Sequence, residues 1–273
     1  MPRLDDEEIL VVPELERRGL EVALPVWDDP SVDWDAFDLV VVRTTWDYPE
    51  RRDEFLAWAR RVPRLANPAD VLAWNTDKRY LGELADAGLP VVPTTFVAPG
   101  EPFAAPDADE LVVKPTVSAG SRDTARYLRA DAGRAAAHVA RLHAAGRTAM
   151  VQPYLGEVDD AGETALLFLD GELSHAIRKG PLLERGKEGP SGLFAEEDIQ
   201  PREPSAVERD LGDQVLAAVT ERCGPLVYAR IDLLPDRDGP RVIEVELTEP
   251  SLFLGHDAGA PARLADAIAA RLA

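Results

Sequence analysis

The chain has 273 residues, 45% of them hydrophobic, and its 50 acidic and 30 basic side chains give a net charge of −20. That length allows a substantial core, or about two or three small domains sharing one, while the charge repels phosphate backbones and anionic lipid, so neither nucleic acid nor a membrane is expected as partner. A single cysteine, Cys223, permits no internal disulfide and points to a reducing, cytoplasmic location; no apolar run reaches membrane-spanning length, and the acidic opening "MPRLDDEEIL" is not a signal peptide.

In chain order, "DDEEILVVPELERRG" predicts a helix with an acidic first turn, basic residues near its end and Gly19 as its stop. "LEVALPVW" and "FDLVVVRT" predict strands, and "RRDEFLAWARRV" a helix with apolar residues at helical spacing. The alternation predicts a small parallel α/β domain over residues 1–74, one that opens with its helix where such domains usually open with a strand. "VVRTTWDY" ends the second of these strands. Ligands of open α/β sheets sit beyond the carboxyl ends of strands, which makes Arg43, Thr44 and Asp47 candidates for touching a carboxylate or amine substrate. The alternative is a capped loop with Trp46 in the core.

"NTDKRYLGELADAG" predicts one helix, capped by Asn75 or Thr76 and stopped by Gly88. "LPVVPTTFV" is a strand, and "ELVVKPTVSAGSRDTARYL" reads as strand, small-residue loop, strand. "AGRAAAHVARLHAAG" is an amphipathic helix that places His138 and His143 outside, and "TAMVQPYL" is a strand. "GETALLFLDGELSHAIRK" predicts a hairpin turning at Asp170-Gly171, with His175 packed within it. Residues 180–206, rich in Gly, Pro and charge, predict a mobile loop. A helix in "SAVERDLGDQVLAAVTERCG", strands in "PLVYARIDLLP" and "PRVIEVELTEPS" joined by "DRDG", and a helix in "PARLADAIAARLA" complete the chain. The last two-thirds is thus α+β with antiparallel sheets.

The strand "VIEVELTEPS" carries glutamates where its Val, Ile and Leu residues ask for burial. Side chains alternate along a strand, so Val242, Glu244 and Glu246 share a face. In "LVYARIDLL", Tyr228, Arg230 and Asp232 share one too. If the two strands pair, Asp232, Glu244 and Glu246 converge, and carboxylates crowded in a partly buried place protonate or repel unless a cation compensates them. Mg²⁺ favours carboxylate oxygen and shares its shell with substrate phosphates. Ordinary surface acids on a solvent-facing strand are the alternative. A phosphate ligand needs a cradle, but neither GxxxxGK[ST] nor GxGxxG occurs. "VVKPTVSAGSRDT" offers another: Lys114 at the end of an apolar strand, then Ser118, Ala119, Gly120 and Ser121, whose small side chains let backbone N–H groups approach phosphate.

"LVVKPTVSAGSRDT", "VQPYLGEVDDAGETALLFLDGE", "YARID" and "VIEVELTEPS", in that order, resemble the ATP-grasp superfamily over about residues 70–255. Within it the chain is similar to the glutathione-synthetase-like and D-alanine–D-alanine-ligase-like branch. With "VWDDP", "RTTWDY" and "WNTDKRYL" it looks like the small ligases typified by the cyclo-ligase of D-cycloserine biosynthesis. The resemblance implies an N-terminal α/β domain (1–74) before two α+β subdomains, 75–155 and 156–273, that clasp ATP. It implies that Lys78 and Lys114 hold the α- and β-phosphates and that 118–121 forms a mobile cover. Gln152, Pro153, Tyr154 and Leu155 become the hinge whose backbone reads adenine, with Glu157 or Glu163 near the ribose. Asp232, Glu244 and Glu246 match the metal ligands, although many members have Asn where Glu246 stands. Arg230 matches the arginine that steadies negative charge on the acyl group. From their own positions, Arg178 and Lys179 at the end of "SHAIRK" are expected to face the γ-phosphate, with a surface pair as the alternative; Glu249 is a candidate substrate contact, and Ser251 either orients substrate or caps a turn after Pro250. The implied cofactors are ATP with one or two Mg²⁺, for which Mn²⁺ substitutes. The implied reaction activates a small carboxylate as an acyl phosphate for attack by an amine, intermolecular or cyclising, with release of ADP. A phosphotransferase without ligation and a non-catalytic nucleotide-binding protein are the rival readings, and a homodimer is left open.

Overall fold

The computed structural model describes residues 6–183 and 198–272. Helix α1 (Asp6–Arg17) places Asp6, Glu7 and Glu8 in its first turn, where unpaired backbone N–H groups favour negative charge. The two strands expected next do not form. Residues 20–26 are irregular, and 37–44 makes only an isolated parallel bridge between Val40 and Leu65. Leu20, Val22, Leu39 and Val41 still pack toward a core, but Leu24 and Val26 stay exposed. A parallel sheet needs neighbouring strands to complete its ladder, and among the described residues this segment pairs only through the Val40–Leu65 bridge. Helix α2 (Arg52–Ala59) buries Phe55, Leu56 and Trp58.

The single helix expected from Asn75 is two: α3 (Ala69–Asn75) and α4 (Tyr80–Asp86). Asn75 ends the first and caps nothing. The turn at 76–79 is held open from helical continuation because the Lys78 backbone N–H donates to the Thr116 carbonyl (2.8 Å). Strands β1 (Thr95–Val97), β2 (Glu110–Pro115) and β3 (Ala125–Leu128), helix α5 (Ala132–Ala144) and strand β4 (Ala149–Pro153) follow. The strands form an antiparallel sheet of order β1-β4-β2-β3, and α5 covers it with Ala135, Val139 and Leu142. His138 is buried on that helix and hydrogen-bonds the Tyr127 hydroxyl (3.0 Å), and His143 reaches the Val97 carbonyl (3.0 Å). Neither is the exterior histidine expected; both rings anchor α5 to the sheet.

The short α6 (Val158–Ala161) leads into β5 (Glu163–Leu169), β6 (Glu172–Lys179) and β7 (Ile199–Pro201). Asp170 and Gly171 both take positive φ, 49° and 86°, as the two-residue hairpin turn requires. Of the loop expected at 180–206, residues 184–197 lie outside the described residues, and 199–201 pair with β6. Helix α7 (Ala206–Cys223) starts with a capping box in which Ser205 and Glu208 satisfy each other's backbone N–H groups. Strands β8 (Tyr228–Leu234) and β9 (Arg241–Glu246) and helix α8 (Ala260–Ala270) complete the fold. The second sheet, β7-β6-β5-β8-β9, is antiparallel throughout. Leu166 and Phe168 of β5 face α7 and the N-terminal segment, while Ala165 and Leu167 face α1 and α8, so both faces are covered. Its β8–β9 edge stands opposite the first sheet across a cleft.

Candidate active site

Strands β8 and β9 pair in the register expected from their alternation. Asp232 lies opposite Glu244 and Arg230 opposite Glu246, and a bulge after Asp232 shifts the ladder next to these pairs. Carboxylate oxygens of Asp232, Glu244 and Glu246 all come within 4.8 Å of one another. Cations surround them. Arg230 donates from Nε to Asp232 Oδ1 (2.9 Å), from Nη2 to Glu246 (2.6 Å) and from Nη1 to the Ser251 carbonyl (3.1 Å). Lys179 Nζ meets Asp232 Oδ2 at 2.8 Å and also pairs with Glu163. Lys78 Nζ meets Glu244 at 3.0 Å and donates to the Ser118 carbonyl (2.8 Å), tying the small-residue loop to the metal strand.

The electrostatics follow from burial set against these partners. Burial alone would raise Asp232, but Arg230 and then Lys179 hold it at about 2. Burial pushes Glu246 up to about 7 and Glu163 up to about 7, against the pull of Arg230 and Lys179 respectively. Burial, then repulsion from Glu246, pushes Glu249 up to about 8. Burial and the neighbouring Lys78 lower Lys114, whereas Glu244 raises Lys78 despite its burial. Three hard oxygen donors at this spacing, one of them titrating near neutrality, fit a divalent cation of the Mg²⁺ kind.

The cleft encloses about 470 Å³ between the two sheets. One wall carries Lys78, Lys114 and the loop Ser118, Ala119, Gly120 and Ser121. Gly120 and Ser121 are consecutive left-handed residues, φ 62° and 55°. Another wall is Gln152, Pro153, Tyr154 and Leu155; the Gln152 side chain turns away to Thr94 Oγ1 (2.8 Å), and Tyr154 N donates to the Glu110 carbonyl (2.9 Å). The Arg126 guanidinium lies 3.4 Å over the Tyr154 ring, and the Tyr154 hydroxyl bonds Asp159. Glu163, Lys179, Arg230, Glu244, Glu246, Glu249 and Ser251 line the remainder.

Besides the buried Asp232, five expected site residues are not on this lining, and four of them have another use. Arg43 is buried and bonds Glu7, Glu8 (3.3 Å) and the Pro250 carbonyl (2.7 Å), joining α1 to the segment after β9. Asp47 accepts from the Trp27 indole (3.1 Å) and from Arg51. Arg178 is turned to the opposite face of β6 from Lys179 by strand alternation, where it meets the Ala161 carbonyl (2.9 Å) and Asp198 (3.2 Å). Glu157 pairs with Arg237 (3.0 Å), so of the two glutamates considered for the ribose only Glu163 faces the cleft. Thr44, at φ 45°, is also off the lining, which the first domain supplies through Trp46 and Tyr48.

Asn67, Asn75 and Tyr80 were not legible as functional. Edge strand β9 leaves backbone groups without a neighbouring strand, and these side chains satisfy them. Asn75 Nδ2 donates to the Val245 carbonyl (2.7 Å), and its Oδ1 accepts from Leu247 N (2.8 Å). The Tyr80 hydroxyl donates to the Val245 carbonyl (2.8 Å) and accepts from Val245 N (2.9 Å). Asn67 Nδ2 donates to the Leu247 carbonyl (2.8 Å), and its Oδ1 accepts from Val227 N (3.0 Å). The strand that presents Glu244 and Glu246 is thereby pinned by amides and a phenol from α3, α4 and the segment before them. In sequence the signal is weak, since Asn75 and Tyr80 are merely two polar residues five apart.

A curated relative, "Cycloserine biosynthesis protein DcsG" of Streptomyces lavendulae, is 42% identical over 270 residues, covering 93% of this chain and 90% of that one. The chain belongs to the D-cycloserine synthetase family. A family profile described as "D-cycloserine synthetase DcsG, N-terminal domain" matches residues 1–67. A crystal structure of D-cycloserine synthetase DcsG superposes with a TM-score of 0.89 at 40% identity, over 97% of this chain and 94% of that one. The D-alanine–D-alanine ligase of Bacillus anthracis, complexed with ATP, superposes at TM-score 0.65 and 15% identity, over 100% of this chain and 95% of that one. The fold is ATP-grasp, as the ordered motifs implied. Like the rest of the D-cycloserine synthetase family, this chain is an ATP-dependent ligase. Among the described residues no helix is long and apolar enough to cross a membrane.

Proposed function

We propose that this ligase closes a small ring within one amino-acid-like molecule: ATP activates the carboxylate, and a nitrogen of the same molecule displaces phosphate. The carrying observation is the convergence of Asp232, Glu244 and Glu246 with Lys78, Lys114 and Arg230 around one cleft. The similarity to a D-cycloserine synthetase supports the cyclising form of the reaction. Phosphoryl transfer needs positioning and charge neutralisation more than a covalent nucleophile, which suits this set of residues.

Asp232, Glu244 and Glu246 hold one or two Mg²⁺, with Mn²⁺ as a competent substitute. Bound by these carboxylates, the metal would offset the negative charge of the phosphates. Lys78 and Lys114 grip the α- and β-phosphates, the 118–121 loop closes over them through backbone N–H groups, and the hinge 152–155 reads adenine through its backbone. Glu163 accepts the ribose hydroxyls. Lys179 neutralises the phosphate that transfers, and Arg230, held by Asp232 and Glu246, steadies the acyl oxygen as it gains charge. Ser251, its carbonyl bonded to Arg230, lies beside the reacting carboxyl.

The test is ADP release with O-amino-D-serine, its oxyamine nitrogen free or N-acylated, compared with separate carboxylate and amine pairs. Ring closure predicts that the single molecule is turned over without any added amine, and that hydroxylamine diverts part of the flux into a hydroxamate. ADP release only with two separate partners identifies an intermolecular ligase. A phosphorylated acid that neither cyclises nor reacts with hydroxylamine identifies a phosphotransferase.

A further inference from the structure

Glu249 lies three residues past the end of β9, on the cleft wall next to the N-terminal segment. Its side chain is nine-tenths buried, at 7% exposure, and it lines the cleft. Among the described residues, no hydrogen bond or ion pair reaches its carboxylate. The cations whose charge it feels are Arg230, Lys78 and Arg43, and all three are engaged elsewhere. Arg43 is held by Glu7, Glu8 and the Pro250 carbonyl, Lys78 by Glu244 and the Ser118 carbonyl, and Arg230 by Asp232, Glu246 and the Ser251 carbonyl. A buried carboxylate without a cation of its own is costly, and proteins retain one where a ligand supplies the missing charge. Tyr48 lines the same cleft from the N-terminal segment. After burial, Glu249 is the charge that most raises the Tyr48 hydroxyl, which therefore stays a neutral donor or acceptor at the cleft surface.

We propose that Glu249 is the counter-ion for the substrate's α-ammonium group, and so the residue that makes the enzyme select an amino acid over the corresponding plain carboxylic acid. The inference rests on the ring-closing reading, because it presumes one small substrate carrying both a carboxylate and an amine. It gives the two ends of that substrate separate partners. The carboxylate is drawn to Arg230 and the metal strand, and the ammonium to Glu249 with Tyr48 flanking it. A carboxylate acting instead as general base on the attacking nitrogen would not distinguish substrates by their α-amine.

The experiment compares kcat/KM for the linear ether that the wild type turns over best with kcat/KM for its counterpart lacking the α-amine, aminooxypropanoate or its N-acyl form. Both are measured in the full-length wild type, Glu249→Gln and Glu249→Asp, with ADP release as readout. A charge-assisted contact predicts that the amine preference falls at least about tenfold in Glu249→Gln, chiefly through KM. In Glu249→Asp, which keeps the charge on a shorter stem, the preference should be intermediate. A preference unchanged in Glu249→Gln overturns the proposal, as does an equal loss of kcat with both compounds, which is the signature of a base. If the wild type itself turns over none of these compounds, the ring-closing reading fails and the ammonium contact falls with it. A failure confined to the variants leaves that reading standing.

Discussion

The Arg43 guanidinium is used by the protein itself. It ties α1 to the segment after β9 through Glu7, Glu8 and the Pro250 carbonyl. Its removal takes the Arg43 cation away from the largely buried carboxylates of Glu7 and Glu8, a loss on the order of 3 kcal/mol. Arg43→Ala is therefore expected to lower the melting temperature by several degrees and to move the KM values for ATP and for the amino substrate together; a selective rise in substrate KM would instead make it a ligand contact. Asp232 and Glu244 have the opposite character. Asp232→Asn and Glu244→Gln empty no core volume, so circular dichroism should report a folded chain while Mg²⁺-dependent ADP release drops by about 100-fold or more. Near-native turnover in both variants would remove the metal assignment. The carboxylates were legible in sequence because they break the apolar run of a strand; the role of Arg43 was not, because its partners lie 35, 36 and 207 residues away.

The metal strand is an edge strand held by side chains. Tyr80→Phe deletes a hydroxyl that both donates to and accepts from Val245, at a cost of about 1–3 kcal/mol. Because Val245 lies between Glu244 and Glu246, the variant should need more Mg²⁺ for half-maximal ADP release while its ATP affinity at saturating metal changes little. Loss of stability with no change in Mg²⁺ requirement would reduce Tyr80 to packing. Gly212 does related service on α7. A methyl there would overlap the Leu166 side chain and come within 3.2 Å of Phe168, so Gly212→Ala should destabilise the fold by about 1–3 kcal/mol in urea titration. The hairpin at Asp170-Gly171 and the alternation of β8 and β9 were readable because turn chemistry and period-two patterning are local. The helix expected from Asn75 was misread. Its propensity is helical throughout, and only contacts of 76–79 and Asn75 with distant backbone break it. The N-terminal strands were misread for a related reason: their composition is strand-like, but the ladder partners that would make them strands are absent among the described residues.

Across the whole molecule, the cleft concentrates charge that the fold tolerates only in part. Glu163 and Glu246 sit at about 7 and Glu249 at about 8, above their ordinary 4.5. Groups raised in this way bind protons more tightly in the folded chain, so their contribution is complete below the ordinary value and is lost as pH rises through about 7 to 8. Asp232, held at about 2, works in the other direction, but only as pH falls below its ordinary 3.8. The melting temperature of the metal-free protein should accordingly decline between about pH 5 and pH 8, and Mg²⁺ with ADP should flatten that decline; a rise over the same range in EDTA would contradict this balance. The same concentration of charge is what an acyl-phosphate pathway requires, and one isotope measurement reads that pathway directly. The substrate is supplied with a heavy oxygen isotope in its carboxylate, and the phosphate released during ring closure is analysed by mass spectrometry. Activation by ATP predicts one heavy oxygen in each phosphate formed alongside one ADP and one closed ring. Phosphate free of the label, with the ring still closed, would contradict it.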